Sequence, residues 1–426
     1  MMSEVNLEAM GEKAKAAGHR LGLLATEVRS RALEEIARGL ERGGAALREA
    51  NEADVADARR AQLAPSLVDR LTLTPKRIQG MIRGCRDVAA LPDPLGEQFD
   101  GRTLPNGLRI TKRRVPLGVI GVIFESRPNV TIDISALCIK TGNAVIMRGG
   151  KETLRSNVAL VNLVREAAAS SGVPADAVQL ITSTDRALVP QLLGMDQCID
   201  LIIPRGGPGL QALVREHAKM PVVYGGIGVC HLFVDESADL ERSTAVINNA
   251  KTQAPSVCNA LDTVLVHRAV VNRLLPAMVA NLNASGVKVL CDEPSLRSLQ
   301  GASGIVVELV GPAQPEDFGK EFLSLVLSVK VVDSLDEAIA HITRYGTNHS
   351  DGILTNDYAH ARRFLDEVDS ATVYVNASTR FTDGGEFGLG AEVAISTQKM
   401  HARGPMGLRE LTTYKWLIEG DYHARP

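Results

Sequence analysis

Val115-Pro116-Leu117-Gly118-Val119-Ile120-Gly121-Val122-Ile123-Phe124 is the stretch on which the fold turns. It is an apolar run rich in Val and Ile, and Ala144 to Met147, Val178 to Ile181 and Leu201 to Ile203 repeat its texture. Between these runs Thr131 to Lys140, Thr153 to Ala169 and Gly209 to Ala218 carry helical patterns. Strand alternating with helix makes βαβ units, hence a parallel sheet covered on both faces. Ligands on such a sheet bind at the carboxyl ends of its strands.

Three of those strand ends carry polar and glycine-rich sequence. Glu125-Ser126-Arg127-Pro128-Asn129 follows the first, Arg148-Gly149-Gly150-Lys151 the second, and Pro204-Arg205-Gly206-Gly207-Pro208-Gly209 the fourth, where it opens a helix. Glycines at a helix start let the backbone approach a diphosphate, whose charge the helix N-terminus favours. The spacing is not GxGxxG, and ordinary turn glycines explain it as well. Arg148 and Lys151 bring two cations to one strand end. They would suit an extra phosphate such as the 2′-phosphate of NADP, or be solvated surface charge.

Working outward, Met1 to about Leu91 reads as helical. Leu33, Ile36, Ala37 and Leu40 fall at helical spacing, as do Ile78, Met81, Ile82 and Cys85. Gly43-Gly44 and Pro65 divide this region into separate helices. Pro105-Asn106-Gly107 is a turn signal, flanked by residues suited to a short hairpin. Such a hairpin between larger blocks suits subunit contact.

With 426 residues, 45% of them hydrophobic, the chain has material for two cores. Its 47 basic and 50 acidic residues are interspersed, which argues against nucleic acid or a membrane surface as partner. Six cysteines stand apart, at Cys85, Cys138, Cys198, Cys230, Cys258 and Cys291. Without a CxxC pair or Cys/His cluster they support neither a zinc site nor a disulfide framework. The N-terminal residues mix charge throughout, unlike a signal peptide, and no run is long enough to span a membrane. A reduced, cytoplasmic enzyme is the class expected.

A second α/β block is expected from about Gly228 to Ser396. Its strands are His231 to Val234, Thr263 to His267, Val287 to Leu290, Ile305 to Glu308, Ser328 to Val332, Gly352 to Leu354 and Thr372 to Val375. Within it lies Thr252-Gln253-Ala254-Pro255-Ser256-Val257-Cys258-Asn259-Ala260, between a helical segment and a strand. A thiol on such a turn can be presented as a nucleophile, whereas the commoner fate of a free Cys is burial as a small hydrophobe.

Several of these segments resemble the γ-glutamyl phosphate reductase family, within the aldehyde dehydrogenase superfamily. They are Val115 to Thr131, Ile203 to Gly207, Tyr224 to His231, the run Ala338 to Ile353 and Val373 to Gly385. The resemblance covers nearly the whole chain. It implies an aldehyde dehydrogenase-like α/β fold: two Rossmann-like parallel-sheet domains with a small β oligomerisation arm. Residues 1–98 and 113–227 would form a discontinuous NADPH-binding domain and 228–395 the catalytic domain. The arm would take 99–112 and 396–426.

The same resemblance implies NADPH-dependent reduction of L-glutamyl 5-phosphate to glutamate 5-semialdehyde, in L-proline biosynthesis. It makes Cys258 the catalytic thiol and Asn129 a donor to the oxyanion, with the backbone N–H of Cys258. Arg148, Lys151, Arg205, Gly206, Gly207, Gly226 and Glu321 fall to the cofactor. A cation at Lys151, where many NAD-dependent relatives carry Glu, favours NADPH. Arg127, Arg380 and Ser378 are candidates for the substrate, though either arginine could equally make a structural ion pair. Oxidising members place a Glu, the base for thioester hydrolysis, where Val223 stands here, which supports reduction. The alternative is an NAD(P)-dependent aldehyde dehydrogenase running toward acid. A homo-oligomer is expected, no metal, and association with glutamate 5-kinase is compatible with so labile a substrate.

Overall fold

The computed structural model describes residues 5–425. Met1 to Glu4, where the helical region was expected to begin, and Pro426, at the end of the expected arm, lie outside the described residues. The chain divides into two compact units. Unit 1 holds the chain up to Gly225, together with Gly388–Ala394 and the residues from Met406 onward. Unit 2 holds Gly226–Phe387 and Ile395–Pro405.

The strands of unit 1 are β1 (Gln98–Thr103), β2 (Arg109–Pro116), β3 (Val119–Phe124), β4 (Ala144–Arg148), β5 (Val178–Leu180) and β6 (Leu201–Arg205). Unit 2 contributes β7 (Cys230–Val234), β8 (Leu261–His267), β9 (Lys288–Cys291), β10 (Val310–Pro312), β11 (Val326–Val332), β12 (Ser350–Leu354), β13 (Thr372–Val375), β14 (Ile395–Ser396) and β15 (Gly404–Pro405). The last strand, β16 (Thr412–Glu419), belongs to unit 1.

In unit 1 a parallel sheet runs in the order β5-β4-β3-β6. Every residue of β3 is buried, as its unbroken apolar sequence demands. The run from Val115 to Phe124 is nonetheless two strands. Gly118 adopts φ +133° between them, and the Asp200 carboxylate accepts the Val119 N–H at 2.7 Å. Helices Thr26–Arg42 and Pro75–Ala90 bury the two stripes expected from their spacing. Gly43 separates two helices, and Pro65 and Pro75 each open one, where a missing N–H costs nothing.

The hairpin β1–β2 forms, and β16 pairs antiparallel along the whole of β2. Sequence alone assigns Gly388–Ala394 to the second block; the structure places it in unit 1. Backbone bonds from Val393 to Met406 (3.0 Å) and from Met406 to Ala394 (2.9 Å) hold it there.

Unit 2 is built on a seven-stranded parallel sheet, β10-β9-β11-β8-β7-β12-β13. Its core includes Leu232, Val264, Val266, Val329 and Val331. One expected strand is displaced. Ile305 to Glu308 does not pair; Val307–Leu309 is a 3₁₀ turn, and the ladder begins at Val310. The Val306 N–H is instead taken by the Asn283 side chain at 3.0 Å.

Candidate active site

In unit 2 the helix Leu240–Thr252, capped by the Asp239 carboxylate, delivers the chain to a turn that ends in β8. Ala260 N–H closes that turn on the Val257 carbonyl at 3.1 Å. Cys258 sits on it, only partly buried. The contrast with other thiols is informative. Cys85, Cys138 and Cys291 are packed away, and burial pushes each thiol up to about 12. Cys230 is also buried and pushed well above the usual thiol range. Cys198, in unit 1, is the other partly exposed thiol.

The backbone around Cys258 is stitched on several sides. Cys230 Sγ donates to the Cys258 carbonyl at 3.3 Å. The segment leading into β7 passes so close that a Cβ built on Gly228 would lie 1.5 Å from that carbonyl oxygen. Asn259 Nδ2 donates to the carbonyls of Thr382 (2.8 Å) and Arg380 (3.4 Å), while Thr379 Oγ1 donates to the Asn259 carbonyl at 2.7 Å. These bonds tie the 3₁₀ turn Thr379–Phe381, which carries Arg380, to Asn259, the residue after the thiol. Arg380 Nε donates to Gln253 Oε1 at 2.7 Å. Ser378 is buried, and its hydroxyl accepts the Arg380 N–H at 3.3 Å, capping that turn.

Glu321 Oε1 accepts the Gly228 N–H at 3.1 Å, and Thr347 Oγ1 accepts that of Val229 at 2.9 Å. The next residue after Glu321, Phe322, donates its N–H to the buried Asp262 at 3.2 Å, which pairs with buried Lys251 at 3.4 Å. Burial raises the Asp262 carboxyl to about 6 and lowers the Lys251 ammonium. Gly226 donates to the Ile395 carbonyl at 2.7 Å, and a Cβ there would lie 2.5 Å from Thr397 Cγ2. Its small size serves close packing. His349 is buried, held by Ser350 Oγ at 2.8 Å, and burial lowers its imidazole to about 4.

In unit 1 the chemistry-bearing residues gather at the carboxyl ends of β3, β4 and β6. Asn129 begins the helix Asn129–Lys140, and its Nδ2 donates to Asp133 at 3.0 Å. Burial pushes the Asp133 carboxyl up to about 6. Arg127 lies partly buried two residues before Asn129. Arg148 closes β4; its Nη2 donates to the Asp185 carbonyl at 3.1 Å, and desolvation lowers its guanidinium. Lys151 follows, exposed, at the start of the 3₁₀ turn Lys151–Thr153. The Arg205 guanidinium donates to the Val393 carbonyl.

Two carboxylates here went unread in the sequence. Glu125 Oε2 accepts the Gly207 N–H at 3.3 Å, at the N-terminus of the helix Pro208–His217. Glu152 Oε1 accepts both the N–H (3.1 Å) and hydroxyl (2.7 Å) of Ser126, whose φ is +48°. A negative side chain beside a helix start was the available signal. At Val223 there is no base: the side chain is buried and its N–H bonds the Ile202 carbonyl at 2.9 Å.

The strand ends of unit 1 fit a dinucleotide phosphate. A Cβ at Gly207 would meet nothing within 4 Å, so there is room for a phosphate to approach the backbone, whose Gly207 N–H now donates to an anionic group, the Glu125 carboxylate. Arg148 Nε is buried with no hydrogen-bond partner among the described residues. Among those residues no cluster of His, Cys, Asp and Glu could hold a metal ion, and no helix is long and apolar enough to cross a membrane.

A sequence model of the aldehyde dehydrogenase family matches residues 2–293. A γ-glutamyl phosphate reductase from Roseiflexus castenholzii is 57% identical over 422 residues, covering 99% of each chain. The crystal structure of γ-glutamyl phosphate reductase from Thermotoga maritima superposes with a TM-score of 0.94 at 46% identity, over 99% of this chain and 100% of the other. An engineered glycolyl-CoA reductase solved with bound NADP+ shares the fold, with a TM-score of 0.70 at 16% identity over 97% of this chain and 96% of that one.

Proposed function

We propose, because this chain belongs to the aldehyde dehydrogenase family and within it to the γ-glutamyl phosphate reductases, that it reduces L-glutamyl 5-phosphate to L-glutamate 5-semialdehyde in proline biosynthesis, through a thioester on Cys258. The observation that carries the reading is a partly exposed thiol on a turn locked by hydrogen bonds to its own carbonyl and to its neighbour Asn259.

The thiolate attacks the acyl carbon, a C–S bond forms as the carbon–oxygen bond to phosphate breaks, and phosphate departs. Charge on the carbonyl oxygen is received by the Cys258 N–H and the Asn129 amide, each such donor contributing about 3 kcal/mol to the transition state. Asp133 holds that amide by one of its hydrogens. NADPH, when bound, supplies the hydride that takes the thioester carbon to the aldehyde level. Arg148 and Lys151 hold its extra phosphate, Arg205 with the Gly206–Gly207 helix start its diphosphate, and Glu321 its nicotinamide ribose; Gly226 keeps the adjoining segment close-packed. Collapse of the hemithioacetal frees the semialdehyde and returns the thiolate. Arg127 and Arg380 receive the anionic groups of the substrate, and Ser378 supports Arg380. Val223 supports this direction, since no carboxylate stands there to activate a hydrolytic water, as aldehyde oxidation would require.

The sheet β1-β2-β16 is the contact between copies in a homo-oligomer, and the enzyme works in the cytoplasm, receiving its labile substrate from glutamate 5-kinase in association with it. The test is Cys258→Ala, assayed with that kinase, ATP, glutamate and NADPH. Turnover should vanish while NADPH binding, followed by cofactor fluorescence, persists. Residual turnover above about a tenth of wild type, well beyond what loss of a covalent nucleophile permits, would refute the assignment.

A further inference from the structure

We infer that Gln253 and Asn259 are positioning residues that hold Arg380 beside Cys258 to receive a carboxylate of the substrate, so that this enzyme selects acyl groups that carry one. The inference deepens the thioester reading and rests on it. Gln253 stands five positions before the thiol and Asn259 one after it, so both are fixed to the nucleophile by the chain itself. From these two positions come three of the bonds that hold the 378–382 region: Gln253 Oε1 to Arg380 Nε, and Asn259 Nδ2 to the carbonyls of Arg380 and Thr382. A fourth, from Thr379 Oγ1 to the Asn259 carbonyl, closes the loop. Thr379 and Thr382 are fully buried, whereas Gln253 is exposed and Arg380 partly so. The backbone carrying the arginine is therefore tied at several points, while the arginine itself stays partly exposed.

The chemistry of the Gln253 contact is selective. A guanidinium is a planar fork, and fixing its Nε edge fixes the plane in which it meets a carboxylate. Gln253 does this as a neutral acceptor, adding no negative charge of its own beside the guanidinium. A glutamate at the same place would hold the plane equally well and spend the charge.

Two measurements test this. The first is alkylation of Cys258 by iodoacetate and by iodoacetamide, quantified at that cysteine by peptide mass spectrometry. It requires neither cofactor nor acyl phosphate, so its outcome is separate from that of the catalytic reading. The ratio of the iodoacetate rate to the iodoacetamide rate should fall at least about fivefold in Gln253→Ala, Gln253→Glu and Arg380→Gln. The second is steady-state kinetics from aldehyde, phosphate and NADP+ toward acyl phosphate and NADPH. For glutamate 5-semialdehyde, Gln253→Ala should raise KM about tenfold and keep kcat within about threefold; for butanal, which lacks the carboxylate, KM should not move. Turnover of butanal also reports that each variant is folded. An unchanged alkylation ratio in Gln253→Ala and Arg380→Gln, or a KM that rises as much for butanal as for the semialdehyde, would overturn the inference.

Discussion

Replacing Gly228 by alanine should cripple the enzyme from a residue that carries no functional group. The new methyl would lie 1.5 Å from the Cys258 carbonyl oxygen, 2.6 Å from its carbon and 3.2 Å from its Cα. That is about 2 Å short of an ordinary nonbonded contact. The obstacle is backbone, so no rotamer change relieves it. Both partners are also tied: Gly228 and Val229 to Glu321 and Thr347, and the Cys258–Asn259 turn to Cys230 and Thr382. If the displacement is shared, each side moves about 1 Å, and a misplacement of that size costs roughly a hundredfold in rate, or about 2.7 kcal/mol of transition-state stabilisation. Overpacking should also lower stability by about 1–3 kcal/mol. The assay is kcat in the kinase-coupled reaction, with urea denaturation in parallel. Gly207→Ala serves as the steric control for stability, because a Cβ there meets nothing within 4 Å. A folded Gly228→Ala with kcat within about threefold of wild type would show that the turn does not need its present position, against the geometric argument.

Two further outcomes follow from the strand ends of unit 1. Lys151→Glu should lower the ratio of kcat/KM for NADPH over that for NADH by at least about tenfold, by placing a like charge where the proposed reading puts the extra phosphate; an unchanged ratio would remove Lys151 from that role. Asp133→Asn should alter the pH dependence of stability. Burial raises this carboxyl in the folded chain from its ordinary 3.8 to about 6, so its contribution is full below pH 4 and is lost as pH rises through 6. The asparagine variant should therefore lose about 1–2 kcal/mol less than wild type between pH 4 and 7, a value discounted for partial exposure. Urea titrations at both pH values check it, and identical losses would contradict the shift.

The parallel sheets were legible because their signal is local. A fully buried strand such as Val119–Phe124 announces itself in its own six residues. What sequence could not supply was register set from a distance. Ile305 to Glu308 is as apolar as neighbouring strands, yet its ladder starts at Val310, opposite Val289. The break at Gly118 depends on a carboxylate 82 positions on, at Asp200. The site divides the same way. Cys258 could be singled out as a thiol on a turn between helix and strand. Gln253 and Asn259 stood in the same nine residues and went unread, because Arg380 and Thr382, which give them meaning, lie more than a hundred positions away.

That division has a physical cause. Four cysteines of this chain are positioned by packing, and burial pushes Cys85, Cys138 and Cys291 up to about 12 and Cys230 well above the usual thiol range. A thiol in that state is protonated at neutral pH and a poor nucleophile. A reactive sulfur must stay open to solute, so the apolar contacts that fix core side chains are denied to it. Its placement then falls to directional bonds on the backbone either side: the Cys230 thiol on its carbonyl, and the Thr379 and Thr382 contacts on Asn259. Hydrogen bonds between distant segments leave almost no periodic trace in a sequence, whereas packing leaves a strong one. The residues that make Cys258 usable are for this reason the ones a pattern-based reading passes over, and substitutions at Gln253, Gly228 and Cys230 will report on the site more sharply than substitutions in the sheets beneath it.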